Sequence, residues 1–187
     1  MLIVKKPDNS EGFTLFELLT VLAVIAISIS TVLPSMQGQL HKNQLRTQAN
    51  RLITAINLTR SEAVARNSFV SMCPSEVPKA AVPKCSGNYA DGWIIYTNAD
   101  RDRVVDPGSD QVLSVFESFP SGYSVTNRAG TRAANEIITY YADGSSRKNR
   151  TLLLCPPSGS RVLSQSIVMN RMGRSRLASD WGSCGGS

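Results

Sequence analysis

The sequence predicts an α+β fold, with one long helical stretch first and antiparallel strands after it. Three observations carry this expectation. An uninterrupted apolar run extends from Phe13 to Leu33, apolar residues recur at spacings of three and four from Leu45 to Val64, and the pattern changes after Arg66 to short β-rich runs separated by turn residues. A helix followed by a series of strands, rather than alternation of the two, is the α+β order.

The first run reads FTLFELLTVLAVIAISISTVL. Its 21 residues would span about 31 Å as a helix, which matches a hydrocarbon core of about 30 Å. Glu17 is its one charged residue. An acid costs about 2.5 to 3.5 kcal/mol at the centre of a bilayer and much less near an end, where Glu17 also meets the positive end of the helix dipole. The preceding leader, MLIVKKPDNSEG, is short and polar and closes on Gly12. A cleavable secretory signal fits less well, because its apolar core is about 7 to 15 residues long. Residues 13–33 are therefore expected to be a transmembrane helix, which by itself reads as an uncleaved single-pass anchor behind the polar segment 1–12.

The second segment, 34–66, opens on Pro34, a residue able to bend a helix that continues through it. Leu45, Ala49, Leu52, Ile53, Ile56, Ala63 and Val64 mark one face of an amphipathic helix ending near Arg66. That stripe is expected to cover a sheet. The alternative use of the helix is through its polar face, with Arg46, Arg51 and Arg60, which could meet neighbouring molecules.

Residues 67–187 form the expected β-rich head. Its strand-like runs are FVSMC (69–73), WIIYT (93–97), QVLSVFE (111–117), EIITYY (136–141), TLLLC (151–155) and SIVMN (166–170). Turn residues such as DPGSD at 106–110 and ADG at 142–144 separate them, and GSCGGS reads as a short flexible end held by Cys184.

The four cysteines, Cys73, Cys85, Cys155 and Cys184, permit three pairings, of which closure between sequence neighbours is the simplest: Cys73 with Cys85 and Cys155 with Cys184. Free thiols or a zinc site are the other options, but there is no C-x-x-C spacing and His41 is the single histidine. Disulfides imply an oxidising compartment.

Charge is uneven. Residues 1–127 hold 11 Lys and Arg against 11 Asp and Glu, whereas residues 128–187 hold 9 against 3, so the net +6 lies in the last third. A basic region of this kind is either a solvated face or a surface for nucleic acid. No catalytic constellation is present, since His41 has no acid or cysteine nearby in sequence and no serine has an identifiable base. Asp100, Asp102, Asp106 and Asp110 lack the central glycine and terminal glutamate of a calcium loop and alternate with Arg101 and Arg103. They are expected to form a solvated hairpin tip, so neither a metal nor a cofactor is expected.

The informative local motif is NRMGRSR, residues 170–176. Arg171, Arg174 and Arg176 surround Gly173, which permits a turn that presents guanidinium groups together, and such groups suit phosphate oxygens. Arg147, Lys148 and Arg150 form a second basic group, expected at the hairpin tip after ADGSS.

Gly12, Phe13, Thr14, Leu15 and Glu17, followed by the apolar helix and Pro34, resemble the start of type IV pilins and pseudopilins. RSEAVARNS at the helix end and DGWIIYTNADRDRVVDPGSDQVL resemble the FimT, FimU and GspH branch of minor pilins and pseudopilins. The resemblance implies cleavage after Gly12 by a prepilin peptidase, N-methylation of Phe13, and pairing of Glu17 with the terminal amine of a neighbouring subunit. It also implies other pilins or pseudopilins and an inner-membrane assembly machinery as partners. The location it implies is a single pass through the bacterial inner membrane with the head in the periplasm, followed by a pilus or pseudopilus. A carboxylate buried in a membrane is costly unless paired, so Glu17 would favour the assembled state. The pattern Gly173, Arg174, Ser175, Arg176 resembles the carboxy-terminal motif of FimT-type minor pilins, which implies double-stranded DNA as a partner in natural transformation. The late Cys184 resembles FimU-type subunits that prime assembly, and an H-type pseudopilin of type II secretion is the other structural alternative.

Overall fold

The computed structural model describes residues 12–76, 83–102, 104–160, 162–179 and 181–185, with the side chains of 31–37 outside that set. The expected leader, 1–12, therefore lies outside the described residues except for Gly12. Two compact units are present, Met1–Gln39 and Leu40–Ser187.

Helix α1 is Leu15–Arg66. It starts where Thr14 Oγ1 accepts the Glu17 backbone N–H at 3.2 Å, an N-cap bond satisfying one of the four unpaired amides of the first turn. It stops at Asn67, which takes a left-handed φ of 48°. There Ser68 N–H bonds to Ala63 O and Asn67 N–H to Val64 O, the paired closure of a Schellman end.

Within the first unit Phe13 and the apolar side chains of α1 from Leu15 to Ile29 are exposed. Among the described residues no helix is long and apolar enough to cross a membrane. The side chains of Thr31 to Leu33, the end of the apolar run, lie outside the described residues.

Among the described residues the second unit contains the rest of α1 and eight strands. β1 (Val70–Pro74), β2 (Trp93–Thr97), β3 (Val112–Phe116) and β5 (Ile138–Tyr140) form one antiparallel sheet in the order β3-β2-β1-β5. β4 (Ser124–Asn127), β6 (Arg150–Cys155), β7 (Gln165–Met169) and β8 (Ser175–Ser179) form a second antiparallel sheet in the order β4-β6-β7-β8. β4 and β8 fall outside the strand runs that the sequence marks.

One core joins α1 to both sheets. Leu45, Ala49, Leu52, Ile56 and Ala63 of the helix meet Met72, Trp93, Ile95 and Tyr140 of the first sheet and Val125, Leu152, Leu154 and Ile167 of the second. Alternate residues of a strand face opposite ways, so Cys73, Ile94 and Tyr96 build a smaller cluster on the far side of the first sheet, with Cys85 and Val112 against it. Val64, expected in the helix stripe, is instead 51% exposed.

The helix arginines differ from expectation in a way that matters for the site. Arg51 lies over the Trp93 ring and donates to Gln48 Oε1 at 2.6 Å and to Glu117 O at 3.2 Å. Arg60 donates from Nε to Gly144 O at 2.8 Å and from Nη2 to Met172 O at 3.4 Å. Both fasten the helix to its own head rather than standing free for neighbours, because a long guanidinium stem can reach past the apolar stripe to carbonyls beyond it.

The disulfides are Cys73–Cys85 and Cys155–Cys184. The second turns the chain end into a strap rather than a loose tail. Ser166 Oγ donates to Trp181 O at 3.0 Å. Gly182 sits so close to the Leu153 side chain and the Arg128 carbonyl that an added Cβ would lie 2.6 Å from that oxygen. Leu153 and Ser166 point away from the core, yet both are fully buried beneath this strap.

Candidate nucleic-acid interface

The two basic groups of the sequence sit on neighbouring turns. In the turn between β5 and β6, Gly144 N–H donates to Tyr141 O at 2.8 Å, Tyr141 N–H to Ser145 O at 2.9 Å, and Ser145 N–H to Asp143 Oδ1 at 2.8 Å. Hydrogen bonds from the Ser145 side chain and backbone hold the Asp143 carboxyl below its usual pKa. In the turn between β7 and β8, Gly173 N–H donates to Asn170 O at 3.0 Å, Asn170 N–H to Arg174 O at 3.1 Å, and Arg174 N–H to Asn170 Oδ1 at 2.9 Å. Gly173 has a φ of 79°, the left-handed residue that a short bulged hairpin needs.

The turns are bonded to each other. Ser146 N–H donates to Arg171 O at 2.9 Å, and Arg171 N–H returns to Asn149 Oδ1 at 2.8 Å. Arg60 adds its bonds to one carbonyl of each turn. A Cβ on Gly173 would collide with the Gly144 carbonyl and the Arg60 guanidinium, so the glycine is demanded by packing as well as by φ. This is the physical reason for Gly173 in the motif.

Arg147, Lys148, Arg171 and Arg174 are thereby gathered at one end of the head, all four exposed. None is in an ion pair among the described residues, where the pairs are Arg66–Glu62 and Arg150–Glu136. Four exposed cations carried on two bonded turns present positive charge that oxyanions can meet. Asp100 and Asp102 share a cavity of about 560 Å³ with Arg147 and Lys148, which moderates the field there and leaves Arg171 and Arg174 as the least opposed cations.

The other two expected arginines lie elsewhere. Arg150 opens β6 rather than sitting at the hairpin tip, with its side chain only 15% exposed and Nη1 3.2 Å from Glu136 Oε2. Arg176 lies within β8, paired with Val168. Its guanidinium carbon is 5.8 Å from the Trp181 ring centroid, and that of Arg128 is 4.6 Å away. Sequence reading missed Arg128 and Trp181, and it assigned Arg60 to the polar helix face rather than to these turns. An aromatic residue three positions before Cys184 was the available signal for Trp181.

The remaining candidates have local roles. His41 Nδ1 lies 3.1 Å from the Tyr123 hydroxyl, which donates to Gln44 Oε1 at 2.8 Å. The carboxylates of Asp100, Asp102 and Asp106 lie within 4.8 Å of one another, largely exposed, while Asp110 Oδ2 accepts the Asp106 N–H at 3.1 Å. Gly12, Phe13 and Glu17 are exposed, and no ion pair of Glu17 is found among the described residues.

Residues 48–173 match the family model described as type II transport protein GspH, over well more than half of the chain. The chain belongs to the GspH family. Residues 8–33 match the prokaryotic N-terminal methylation motif. This GspH-family chain is 24% identical over 166 residues to the pilin-like protein PilA1 of Thermus thermophilus, covering 89% of this chain and 97% of the relative. Its fold is similar to that of the type IV minor pilin FimU of Pseudomonas aeruginosa. One crystal form gives a TM-score of 0.54 at 19% identity, over 76% of this chain and 96% of that one. A second crystal form gives 0.50 at 17% identity, over 74% and 98%. The GspH-family protein is thus a minor pilin or pseudopilin of pilin-like α+β fold, a structural subunit that associates with other pilins in a filament and not an enzyme. The family match ends at Gly173, so Arg174, Arg176 and the Cys184 strap lie beyond it.

Proposed function

We propose that this GspH-family subunit is a minor type IV pilin whose head binds double-stranded DNA for uptake. The observation that carries the reading is the bonding of the two basic turns to each other, which sets Arg171 and Arg174 beside Arg147 and Lys148. Binding is electrostatic and indifferent to sequence, because guanidinium groups neutralise phosphates and release counterions while none of the described residues of the head offers a base-reading helix. The methylation motif supports the rest of the reading. A prepilin peptidase removes 1–12, Phe13 is methylated, residues 13–33 anchor the subunit in the inner membrane, and Glu17 guides entry into the filament with the help of the assembly machinery.

The family description, type II transport, favours one second reading, a pseudopilin whose head makes only packing contacts. Duplex binding by the detergent-solubilised full chain separates the two. About three engaged phosphates give a slope of log affinity against log salt near −2.7, at about −0.9 per phosphate. Replacing both Arg171 and Arg174 with Gln should reduce that slope by about 1.8. Duplex binding that is absent at low salt, or unchanged in the double variant, favours the packing-only subunit.

A further inference from the structure

Beyond the turns, the second sheet carries a groove of about 1100 Å³ on its outer side. Thr151 and Val168, partners across β6 and β7, lie in its floor, and Arg128, Arg132 and Arg150 line it together with Asn149 and Asn170. Trp181 stands at its lip.

The hydrogen-bonding character of this groove is one-sided. Asn149 and Asn170 each commit Oδ1 to a backbone amide, of Arg171 and of Arg174, which leaves their side-chain NH₂ groups as donors. Arg150 Nε is buried without an acceptor among the described residues. Glu136 is the one carboxylate in the lining, against three guanidinium groups. A ligand suited to this surface brings acceptor oxygens and negative charge.

The lip adds a second requirement. Trp181 is 41% exposed, and the guanidinium groups of Arg128 and Arg176 lie over its ring. Aromatic rings and guanidinium planes are the surfaces on which unpaired bases stack. A double helix is too wide for a recess of this size, which is comparable to pockets of about 300 to 1,000 Å³ that hold small ligands. Asn149 and Asn170 also belong to the bonded turns, so a strand leaving the groove passes directly onto Arg171 and Arg174.

We propose that this groove takes an unpaired stretch of nucleic acid, with a base stacked at Trp181 and phosphates on Arg128 and Arg132. The proposal rests on the DNA reading above and adds to it a separate site and a preference for single strands or frayed ends.

Tryptophan emission of the full chain in detergent micelles, titrated with oligothymidylate and with a duplex closed by loops at both ends, tests it. Trp93 is fully buried and stacked on Phe116, so a change in emission reports Trp181. Oligothymidylate should quench emission to saturation and the closed duplex should not. By anisotropy, Trp181→Ala should weaken oligothymidylate binding about five-fold or more, the loss of one stacked base. Arg132→Gln, at an exposed position, should lower the single-strand salt slope by about 0.7 and leave duplex binding unchanged. If both probes bind but emission is constant and both variants match wild type, the groove is overturned and the DNA reading stands. If neither probe binds at low salt, both readings fall.

Discussion

The backbone N–H of Ser146 donates to the carbonyl of Arg171 across 2.9 Å, so the turns that follow β5 and β7 behave as one structure. Gly173 sits inside this junction, against the Gly144 carbonyl and the Arg60 guanidinium. Gly173→Ala adds a side chain where φ is 79° and where there is no space for one. It should cost about 1 to 3 kcal/mol in urea unfolding and weaken duplex binding as the turns separate. A stability equal to wild type would show that the turns are not coupled.

The strap can be tested through its disulfide. Cys184→Ser opens the link between Cys155 and Cys184, 29 residues apart, and should lower unfolding free energy by about 2 to 4 kcal/mol under oxidising conditions. It also frees Trp181, so emission should shift to the red as the ring becomes hydrated. Reduced wild type, which also loses the Cys73–Cys85 bond, should show the same red shift with a larger fall in stability, and an unshifted spectrum in both would mean that the strap is held without its disulfide.

Alkaline pH should weaken the head through its buried phenols. Burial pushes Tyr140 up to about 12, with Arg60 and Arg150 partly opposing, and it also raises Tyr89 and Tyr96 above the usual value of 10.0. Above pH 10 the unfolded chain releases these protons while the folded chain keeps them, so the contribution is intact below pH 10 and is lost as pH rises through about 12. Absorbance at alkaline pH should show these phenols ionising only with unfolding. The Tyr140 hydroxyl has no partner among the described residues, so Tyr140→Phe should be neutral or stabilising by up to about 1 kcal/mol and should flatten the pH profile.

At the other end of the chain, mass spectrometry of membrane-extracted protein should find Phe13 first and N-methylated. Glu17→Gln should leave insertion and helix start unchanged, because Thr14 and a glutamine three positions on still satisfy the capping pattern, while incorporation into filaments falls. Normal incorporation would remove the assembly role from Glu17.

The sequence made the helix end and six strands legible because each has a strong local signal. WIIYT is continuously apolar and β-rich, and ARNS supplies the left-handed Asn67 that closes α1. β8 was not legible. Ser175–Ser179 is a half-buried edge strand whose conformation is set by pairing with β7 and by the bond from Ser175 Oγ to Asn57 Oδ1, 118 positions away in the chain. β4, with only Val125 fully buried, is similar. For the site, residue type identified the cations but spacing could not sort them. Arg171 and Arg174 face solvent, Arg150 is held by Glu136, and Arg176 lies over Trp181, outcomes decided by which strand each residue joins.

Arg60 gives this arrangement a mechanical consequence. One helix side chain holds a carbonyl from each basic turn, so a displacement of the helix near Arg60 is passed to both turns through two hydrogen bonds, alongside the buried stripe that passes it to the sheets. A slackened Arg60 would release both turns together.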